Sequence, residues 1–524
     1  MKAIIVGGGV GGLTTALMLH ARGLDCEVFE QSEAIRELGV GINTLPHAIK
    51  ELAVLGLLER LDQVGIRTFE LLYTNRFGQE IWREPRGTDA GYEVPQFSIH
   101  RGHLQGVIYQ AARARIGENR MHTGHRLGAF TQNESGVTAY FFDRNGSHRW
   151  TAHGDVLIGA DGIHSKVRET LYPKEGPAHW NGLMLWRGAI DWPVFLTGRS
   201  MIVAGGVAAK LVIYPIAAGR RDGSRLTNWA VAAKTGTDGA IPPVKEDWSR
   251  PGRFADLMPH VRRYDIPFVN AQALIEATPE FWEYPMCDRD PLSRWSHGRV
   301  TLLGDAAHPM YPVGSNGASQ AILDARCLAD RLRDAEHPAA ALWAYEQERL
   351  PPTAQVVRMN RSGGPEGVCG RRARAQWLLQ YRGCVGLRAA QGHRARLRGD
   401  GGLCPRAGEP ARQGGVKRTT RASVANRTAL RTLRAGPWAA ALRLPTSAHC
   451  HEVHDSSSTC LIVWNAAMRC LLGRTLVLGI LPRRPLTKYP RARTGRTVRT
   501  ERSCALALTG FTFDEPACSC GRHS

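Results

Sequence analysis

A glycine-rich turn close to the start of the chain has the residue types and spacing that bind a dinucleotide. Gly7, Gly9 and Gly12 form the pattern G-x-G-x-x-G, and Gly11 lies within it. Glycine allows the backbone to approach a pyrophosphate, and a helix that starts at such a turn offers free N–H groups and a positive dipole end. The chemistry indicated is the binding of a nucleotide cofactor through its phosphates.

The elements around this turn supply the context that the motif needs. Residues 3–6 are a short apolar run typical of a buried parallel strand, and apolar residues then recur at helical spacing over 13–21. A second strand is predicted over 26–29, and it ends in Glu30, whose carboxylate can accept from a ribose hydroxyl. The pattern predicts a dinucleotide site but does not separate FAD from NAD.

Two later segments repeat the arrangement of a strand followed by glycine. Residues 155–158 precede the sequence G-A-D-G-I-H-S-K-V-R, and residues 299–303 precede G-D-A-A-H-P. Together with Arg101 in the sequence H-R-G-H-L, these motifs make residues 1–368 resemble the group A flavoprotein monooxygenases, the para-hydroxybenzoate hydroxylase superfamily. Three further segments look most like the phenazine-carboxylate monooxygenase branch of that superfamily: 38–43, 284–291 and 314–324.

The resemblance implies that FAD is the cofactor, with NADH or NADPH as the reducing co-substrate. Asp305 would accept from ribityl hydroxyls, Arg101 would lie against the pyrophosphate, and Asp161 would set the geometry between flavin and nicotinamide. Read without the resemblance, Asp305 is a helix cap, Arg101 a solvated helix residue and Asp161 a turn residue. A helix that begins at Gly317 would direct its N-terminus at the pyrimidine edge of the flavin. The other cofactor contacts implied are Gly41, Gly304, Gly314, Ala318 and Ser319.

The same resemblance implies a reaction in which the cofactor carries most of the chemistry. A flavin C4a-hydroperoxide formed from O2 would hydroxylate a small aromatic ring, while the protein excludes water. Pro312 would flank the ring, and His308 would either move protons or hold loop backbone. Tyr214, with Trp186 and Met286, would line an aromatic pocket or pack as ordinary sheet core. The sequence identifies no charged partner for a substrate carboxylate.

The spacing of these segments predicts an α/β fold with two interleaved domains. One is a discontinuous, Rossmann-like FAD-binding domain, and the other is a substrate domain built on an antiparallel sheet, with strands predicted over 183–190, 211–216 and 226–233. The FAD-binding domain is expected at residues 1–72, 100–178 and 283–368, and the substrate domain at 73–99 and 179–282.

The last part of the chain differs in composition from the rest. The 524 residues carry a net charge of +21, yet residues 1–369 hold equal numbers of basic and acidic side chains, so the excess lies in 370–524. That segment has 26 Arg and 2 Lys against 7 acidic residues. Non-specific nucleic-acid binding through phosphates is one interpretation. We favour the other, a G+C-rich coding sequence read out of frame, and expect residues 369–524 to be a disordered basic tail.

Composition also excludes several classes of protein. Four scattered cysteines in residues 1–369 give neither a disulfide framework nor metal-ligand spacing, so no metal is expected. The first residues lack a signal-peptide pattern, and no uncharged apolar run reaches about 18 residues, so we expect a cytoplasmic protein without a membrane partner. The oligomeric state cannot be read from the sequence.

Three functional hypotheses follow from these observations. The preferred one is an FAD-dependent aromatic-ring monooxygenase. The second is a protein of the same fold that binds FAD but is inactive, because its C-terminal family segment is replaced. The third is a nucleic-acid-associated protein that acts through the basic tail.

Overall fold

The computed structural model describes residues 1–35, 39–206, 208–244, 247 and 249–363. The predictions made for residues 369–524 therefore lie outside the described residues. Within the described part, none of the helices combines the length and the apolar character needed to cross a membrane. In chain order the strands are β1 (Lys2–Val6), β2 (Asp25–Phe29), β3 (Gly41–Thr44), β4 (Gly65–Arg67), β5 (Glu70–Thr74), β6 (Glu80–Pro85), β7 (Phe97–His100), β8 (Met121–His122), β9 (Arg126–Gln132), β10 (Val137–Phe142), β11 (His148–Gly154), β12 (Val156–Gly159), β13 (His179–Pro193), β14 (Ser200–Gly205), β15 (Ala209–Ala218), β16 (Ser224–Lys234), β17 (Phe281–Asp288) and β18 (Val300–Leu302).

Helices cover these strands, and three of them begin at the candidate site. In chain order the helices are α1 (Val10–His20), α2 (Pro46–Val54), α3 (Leu58–Val64), α4 (Arg101–Ile116), α5 (Lys166–Leu171), α6 (Phe254–Val261), α7 (Ala271–Glu276), α8 (Gly317–Arg333) and α9 (Pro338–Arg361). Two short 3₁₀ turns, Gly304–Ala306 and Val313–Ser315, lie between β18 and α8.

A parallel sheet forms one half of the described structure. Its five strands follow the order β18-β12-β1-β2-β8, and every neighbouring pair is parallel. Ile4 and Ile5 of β1 are fully buried, as expected for a strand covered on both faces. The carboxyl ends of parallel strands meet at one edge of a sheet, so the residues after β1, β2, β12 and β18 come together there.

A seven-stranded sheet forms the other half. Its order is β17-β13-β16-β15-β14-β5-β6, and its pairs are antiparallel except for the parallel pair of β14 with β5. The three strands expected in this region lie within β13, β15 and β16. Helices α6 and α7 pack on one face of the sheet. The other face contacts the loop that contains Tyr311 and Val313.

The two faces of this sheet separate residues that the sequence analysis had grouped. Side chains alternate between faces along a strand, and Trp186 lies on the face covered by α6 and α7, where its indole N–H donates to Glu283 (3.1 Å). Tyr214 and Met286 lie on the opposite face. Of the two alternatives left open for Trp186, the structure therefore supports packing in the sheet core and not a pocket shared with Tyr214 and Met286.

A small sheet joins the two halves. Strands β3 and β4 both pair with β7, and β3 also contacts β15, β16 and the turn Val313–Ser315. The expected domain boundaries at 72/73 and 282/283 fall inside β5 and β17, both of which belong to the seven-stranded sheet. We propose a division that follows the sheets, with boundaries just before β5 and just after β17.

Candidate active site

The carboxyl edge of the parallel sheet brings four sequence-predicted residues to one place. Gly7 follows β1, Glu30 follows β2, Asp161 follows β12, and Asp305 follows β18. The register supports this, because Val6 pairs with both Phe29 and Gly159, and Gly159 pairs with Leu302. Segments separated by up to 298 positions in the chain therefore share one edge.

The glycine turn is packed closely on one side and open on the other. Gly7 has a φ of +111°, and a Cβ there would lie 2.3 Å from the Ala160 carbonyl oxygen. A Cβ at Gly12 would lie 2.0 Å from the Gly7 carbonyl oxygen, and one at Gly11 would lie 2.8 Å from Leu303. At Gly9 a Cβ would meet nothing within 4 Å. Gly9 therefore lies beside open space at the start of α1.

Two side chains hold the peptide of Gly8 in this turn. Glu30 Oε2 accepts from the Gly8 N–H (2.7 Å), and Gln105 of α4 donates to the Gly8 carbonyl (2.8 Å). Glu30 Oε1 accepts from the Ser32 N–H (2.8 Å). Each carboxylate oxygen has a second lone pair, so Glu30 keeps acceptor capacity for a ribose. No sequence motif indicated Gln105.

Three helices begin at this site without a capping side chain. No side-chain hydrogen bond caps α1, α4 or α8, and their first turns contain no acidic residue. The first N–H groups of such a helix have no partner within it. Arg101 is the first residue of α4, is exposed, and packs against Gly39, whose φ is +111°. These groups together make a positive environment.

Two carboxylates lie in this environment and differ in their surroundings. Asp161 accepts from the Ser165 hydroxyl (2.5 Å) and from the N–H groups of Lys166 (2.7 Å) and Val167 (3.2 Å), at the start of α5. Burial raises its pKa, and these hydrogen bonds lower it in part. Burial likewise raises the pKa of Asp305, while His308 and Arg101 act against this. Asp305 is surrounded by protein yet reached by solvent, as on the wall of a cleft.

The loop between Asp305 and α8 is held by side chains from two other elements. The Tyr311 hydroxyl contacts His179 Nδ1 (2.9 Å), and Asn360 near the end of α9 donates to the Tyr311 carbonyl (3.0 Å). Pro312 is exposed between the buried side chains of Tyr311 and Val313. Two residues with left-handed φ follow, Gly314 at +71° and Ser315 at +60°. The loop thus presents Pro312 outward while its neighbours are anchored.

The predicted residues around the start of α8 have different roles. Gly304, with a φ of +60°, packs against α8. Gly317 and Ala318 open the helix, and a Cβ at Gly317 would meet only Asp305 Oδ1, at 3.8 Å. The hydroxyl of Ser319 is buried and accepts from the Leu45 N–H (3.1 Å). We infer that Ser319 reaches a cofactor only through its backbone.

His308 lies behind the loop rather than in the cleft. Its side chain is 2% exposed, and its Nε2 lies 2.6 Å from Asp324 Oδ2. Asp324 also accepts from Arg349 Nε (2.7 Å), and Arg349 donates to Gln320 Oε1 (2.6 Å). The sequence left two roles open for His308, proton movement and support of the loop backbone. This network favours support of the loop backbone.

The Gly41 peptide is where β3 contacts the seven-stranded sheet. Its N–H donates to Asn228 Oδ1 (2.8 Å), and its carbonyl accepts from the Tyr214 hydroxyl (2.8 Å) and from Arg187 Nη2. A Cβ at Gly41 would lie 2.8 Å from Asn228 and 2.6 Å from Ile216. Gly41 and Tyr214 could be identified from sequence motifs and strand patterns, whereas no motif indicated Arg187 or Asn228.

These residues fit FAD by their donor chemistry. Gly9 leaves open space where uncapped N–H groups point, which suits a pyrophosphate. The uncapped start of α8 offers N–H groups to a flavin pyrimidine edge, and Asp305 beside Gly317 offers an acceptor for hydroxyls. Among the described residues, no group of three or more His, Cys, Asp or Glu side chains is placed to hold a metal ion.

Comparisons with known proteins agree on one family. The FAD binding domain family matches residues 1–191 and 282–360. Phenazine 1,6-dicarboxylic acid hydroxylase of Lysobacter antibioticus is 42% identical over 368 residues, which are 68% of this chain and 88% of that protein. 3-Hydroxybenzoate 6-hydroxylase 1 of Aquipseudomonas alcaligenes is 30% identical over 364 residues, 68% of this chain and 87% of that protein. The structure of Klebsiella pneumoniae HpxO with FAD and uric acid has a TM-score of 0.58 and 26% identity, covering 75% of this chain and 95% of that one.

Proposed function

The chain belongs to the family of FAD-dependent aromatic hydroxylases and monooxygenases, and we propose that it inserts one oxygen atom of O2 into a small aromatic ring, with NADH or NADPH as reductant. It is an enzyme, and FAD is its cofactor. The route through a flavin C4a-hydroperoxide stays a prediction. The relatives named above act, by their names, on phenazine 1,6-dicarboxylic acid and 3-hydroxybenzoate, and we propose an aromatic compound of similar size here.

One observation of the site carries this proposal. Gly9 and Gly317 open two helices that lack capping side chains, and neither glycine has protein packed where a Cβ would be, apart from Asp305 near Gly317. Such helix starts suit two groups of a reduced flavin dinucleotide that carry negative charge, the pyrophosphate and the pyrimidine edge. If the glycine turn had only a structural role, it would not explain why two uncapped helix starts lie at the same site as the carboxylate of Asp305.

We propose the following roles for the chain's residues toward FAD. The glycine turn and Arg101 bind the pyrophosphate, Glu30 accepts from the adenosine ribose, and Asp305 accepts from the ribityl hydroxyls. Asp161 holds the start of α5 and shapes the region between flavin and nicotinamide. Backbone groups of the remaining predicted contacts complete the site: Gly41, Gly304, Gly314, Gly317, Ala318 and Ser319.

The catalytic part of the proposal rests on fewer residues. When bound, the flavin supplies electron transfer and oxygen activation, so the protein has to position the ring, exclude water and manage protons. Pro312 is exposed on an anchored loop, and we propose that it lies against the reacting face. Tyr214 is buried; burial raises its pKa and Arg187 acts against this, so the hydroxyl is protonated at neutral pH and holds Gly41. His308 supports the loop from behind.

An isotope experiment tests the proposed function. Purified protein should keep flavin absorbance after desalting and should oxidise NADH or NADPH faster when a suitable aromatic compound is added. The panel contains phenazine carboxylates, salicylate and hydroxybenzoates. With ¹⁸O2, the product should gain one labelled oxygen atom. Bound FAD with H2O2 as the sole product across the panel would instead support the inactive alternative, and a protein without FAD would contradict the cofactor roles.

A further inference from the structure

Arg187 is a cation enclosed by the protein without an acidic partner. It lies in the middle of β13, on the sheet face that carries Tyr284 and Met286 and contacts the Tyr311–Val313 loop. The Nε atom of Arg187 has no contact with solvent, although the residue as a whole is partly exposed. Atoms of Arg187 other than Nε are therefore reached by solvent.

Three other inward arginines of the described residues are neutralised by carboxylates. Arg168 pairs with Glu175, Arg349 pairs with Asp324 at 2.7 Å, and Arg361 pairs with Asp288 at 2.7 Å. Arg187 forms no ion pair with any Asp or Glu in the part of the chain that the structure describes. Because an enclosed charge is costly unless it is paired, this difference calls for an explanation.

The hydrogen bonds of Arg187 leave donors unused. Nη2 donates to the Gly41 carbonyl, Nη1 donates to the Tyr284 hydroxyl at 3.3 Å, and Nε has no partner. The Tyr214 hydroxyl is a further neutral partner of the guanidinium. A guanidinium carries five N–H donors in a fixed fork, and the acceptors found here are all neutral. The nearby Nδ2 of Asn228 is also buried without a partner. This corner of the site therefore has more donors than acceptors.

Small and apolar residues surround Arg187 on this face of the sheet. Across the sheet Arg187 faces Ala230 of β16, and the next residue of the same face on β13 is Ala189, which faces Asn228. Leu185, Ala230 and Ala232 cluster with Tyr311 and Val313, so an apolar wall stands next to the cation. A planar apolar ring with one anionic substituent would match this combination of an apolar wall and a cation.

We propose that Arg187 binds a carboxylate carried by the aromatic substrate and thereby selects ring acids over neutral rings. This rests on the proposed function, since it deepens the substrate class of the same site. The fork of a guanidinium matches the two oxygens of a carboxylate, and Asn228 lies beside it. The substrate carboxylate would supply the charge partner that Arg187 lacks among the described residues.

Binding measurements on matched ligand pairs test this assignment. Each aromatic carboxylate of the panel is compared with its primary carboxamide, for example salicylate with salicylamide and phenazine-1-carboxylate with phenazine-1-carboxamide. Dissociation constants come from isothermal titration calorimetry and from perturbation of the flavin spectrum, so no turnover is needed. Wild-type protein should bind at least one acid about tenfold or more tightly than its amide, equivalent to about 1.4 kcal/mol. If no acid is preferred in the wild type, the assignment is overturned.

Two variants locate the preference at Arg187. In the FAD-loaded protein, Arg187→Gln should weaken binding of the acid far more than binding of the amide, and Arg187→Lys should restore part of the preference for the acid. Arg225→Gln, which removes an arginine of β16 outside this cluster, is the matched control and should keep the preference. Equal weakening of acid and amide would show a structural role and overturn the assignment.

A third measurement, the flavin reduction potential, shows whether the partner of Arg187 is the substrate or the flavin. If Arg187 instead served the flavin, Arg187→Gln would lower the flavin reduction potential and leave the acid preference intact, which would also overturn the assignment. Failure of the proposed function looks different, because the protein would then lack FAD or give no labelled product while the ligand-binding results stand on their own. If Arg187→Gln does not retain FAD, the assignment is tested instead by comparing the preference for acid over amide in Arg187→Lys with that in the wild type.

Discussion

The imidazole of His308 and the carboxylate of Asp324 lie 2.6 Å apart inside the protein, from Nε2 to Oδ2. The same carboxylate accepts from the Gly304 N–H (3.1 Å) and from Arg349 of α9 (2.7 Å). One buried side chain thus connects the end of β18, the loop that follows Asp305, and the long C-terminal helix. The position of the loop beside the candidate flavin site depends on this connection.

Asp324→Asn should therefore destabilise the fold. The variant leaves Arg349 buried without a charge partner and His308 without its carboxylate partner, and breaking a buried pair in this way costs about 3–5 kcal/mol. Thermal unfolding monitored by circular dichroism measures the loss. Asp330→Asn is the matched control on α8, because Asp330 pairs with Arg22 and Arg326 in a part-exposed network and its loss should cost under about 1 kcal/mol. Equal effects of the two variants would contradict the assigned role.

The same ion pair predicts a pH dependence. Burial alone would raise the pKa of Asp324, but His308 and Arg349 outweigh it and hold the pKa below its ordinary value. A depressed carboxyl pKa stabilises the fold above the pKa of the unfolded chain and loses this contribution as pH falls through the folded value. The difference in stability between wild type and Asp324→Asn should thus be full at neutral pH and shrink in strong acid. A difference that grows on acidification would be inconsistent with this pairing.

Asp305→Asn should have opposite effects on the apoprotein and on FAD binding. Because burial raises the pKa of Asp305, its ionised form is disfavoured in the folded apoprotein, and neutral asparagine should raise the melting temperature at neutral pH. The lost charge-assisted hydrogen bonds to the ribityl chain should weaken FAD by about 1.5–3 kcal/mol. Fluorescence titration of apoprotein with FAD measures the second effect. Undiminished FAD affinity would refute the ribityl role.

Gly41→Ala tests the junction between β3 and the seven-stranded sheet. The added methyl group would lie 2.6–2.8 Å from Ile216 and Asn228, so the Gly41 peptide or those side chains must move. Overpacking of this kind costs about 1–3 kcal/mol. Product yield should fall as well, since the hydrogen bonds from Tyr214 and Arg187 to Gly41 would lengthen. Gly206→Ala is the control, because a Cβ there meets nothing within 4 Å, and it should leave both quantities unchanged.

The parallel sheet and its ligand edge could be predicted from the sequence because their signals are local. Four of its five strands were predicted as short apolar runs, and each of these is followed within a few residues by glycine or an acid, as at Gly7 and Asp305. The two-residue strand β8 carries no such signal. Partners from distant segments carried no such signal. Asp324 meets His308 only through the packing of α8, and Gln105 meets Gly8 across 97 positions of sequence.

The faces of the seven-stranded sheet were only half predictable. Alternation along β13 separates Leu185 and Arg187 from Trp186, but it does not tell which set faces the cofactor. Long-range packing of α6 and α7 decides this, and it places Trp186 away from the site. Arg187 could have been identified from the sequence, because it is the one charged residue in the otherwise apolar run 183–190.

Pro312→Gly should uncouple NADH or NADPH oxidation from hydroxylation. Glycine adds backbone freedom at a position that is exposed between two anchored neighbours, so the loop should hold water out of the site less well. The yield of H2O2 per reduced nicotinamide consumed should rise, while FAD content stays constant. An unchanged yield would place Pro312 away from the reacting face.

The end of α9 makes two contacts that support the site. Asn360 donates to the Tyr311 carbonyl (3.0 Å), and Arg361 pairs with the buried carboxylate of Asp288 (2.7 Å). Deleting these two residues would release both the loop and the end of β17. A chain that ends at Met359 should therefore bind FAD weakly and unfold at a lower temperature.

A chain that ends at Val368 keeps both contacts, and we predict that it binds FAD and turns over aromatic compounds as the full chain does. Residues 370–524, with 28 basic against 7 acidic side chains, should contribute only salt-sensitive, sequence-independent retention on nucleic acid, which the shortened chain should lack. The coding DNA offers a second check. In one of the other two reading frames after the codon for Val368, it should encode a helical segment that contains acidic residues and ends at a stop codon. If neither frame does so, or if limited proteolysis leaves a resistant fragment of residues 369–524, that segment is a genuine domain and the out-of-frame interpretation is wrong.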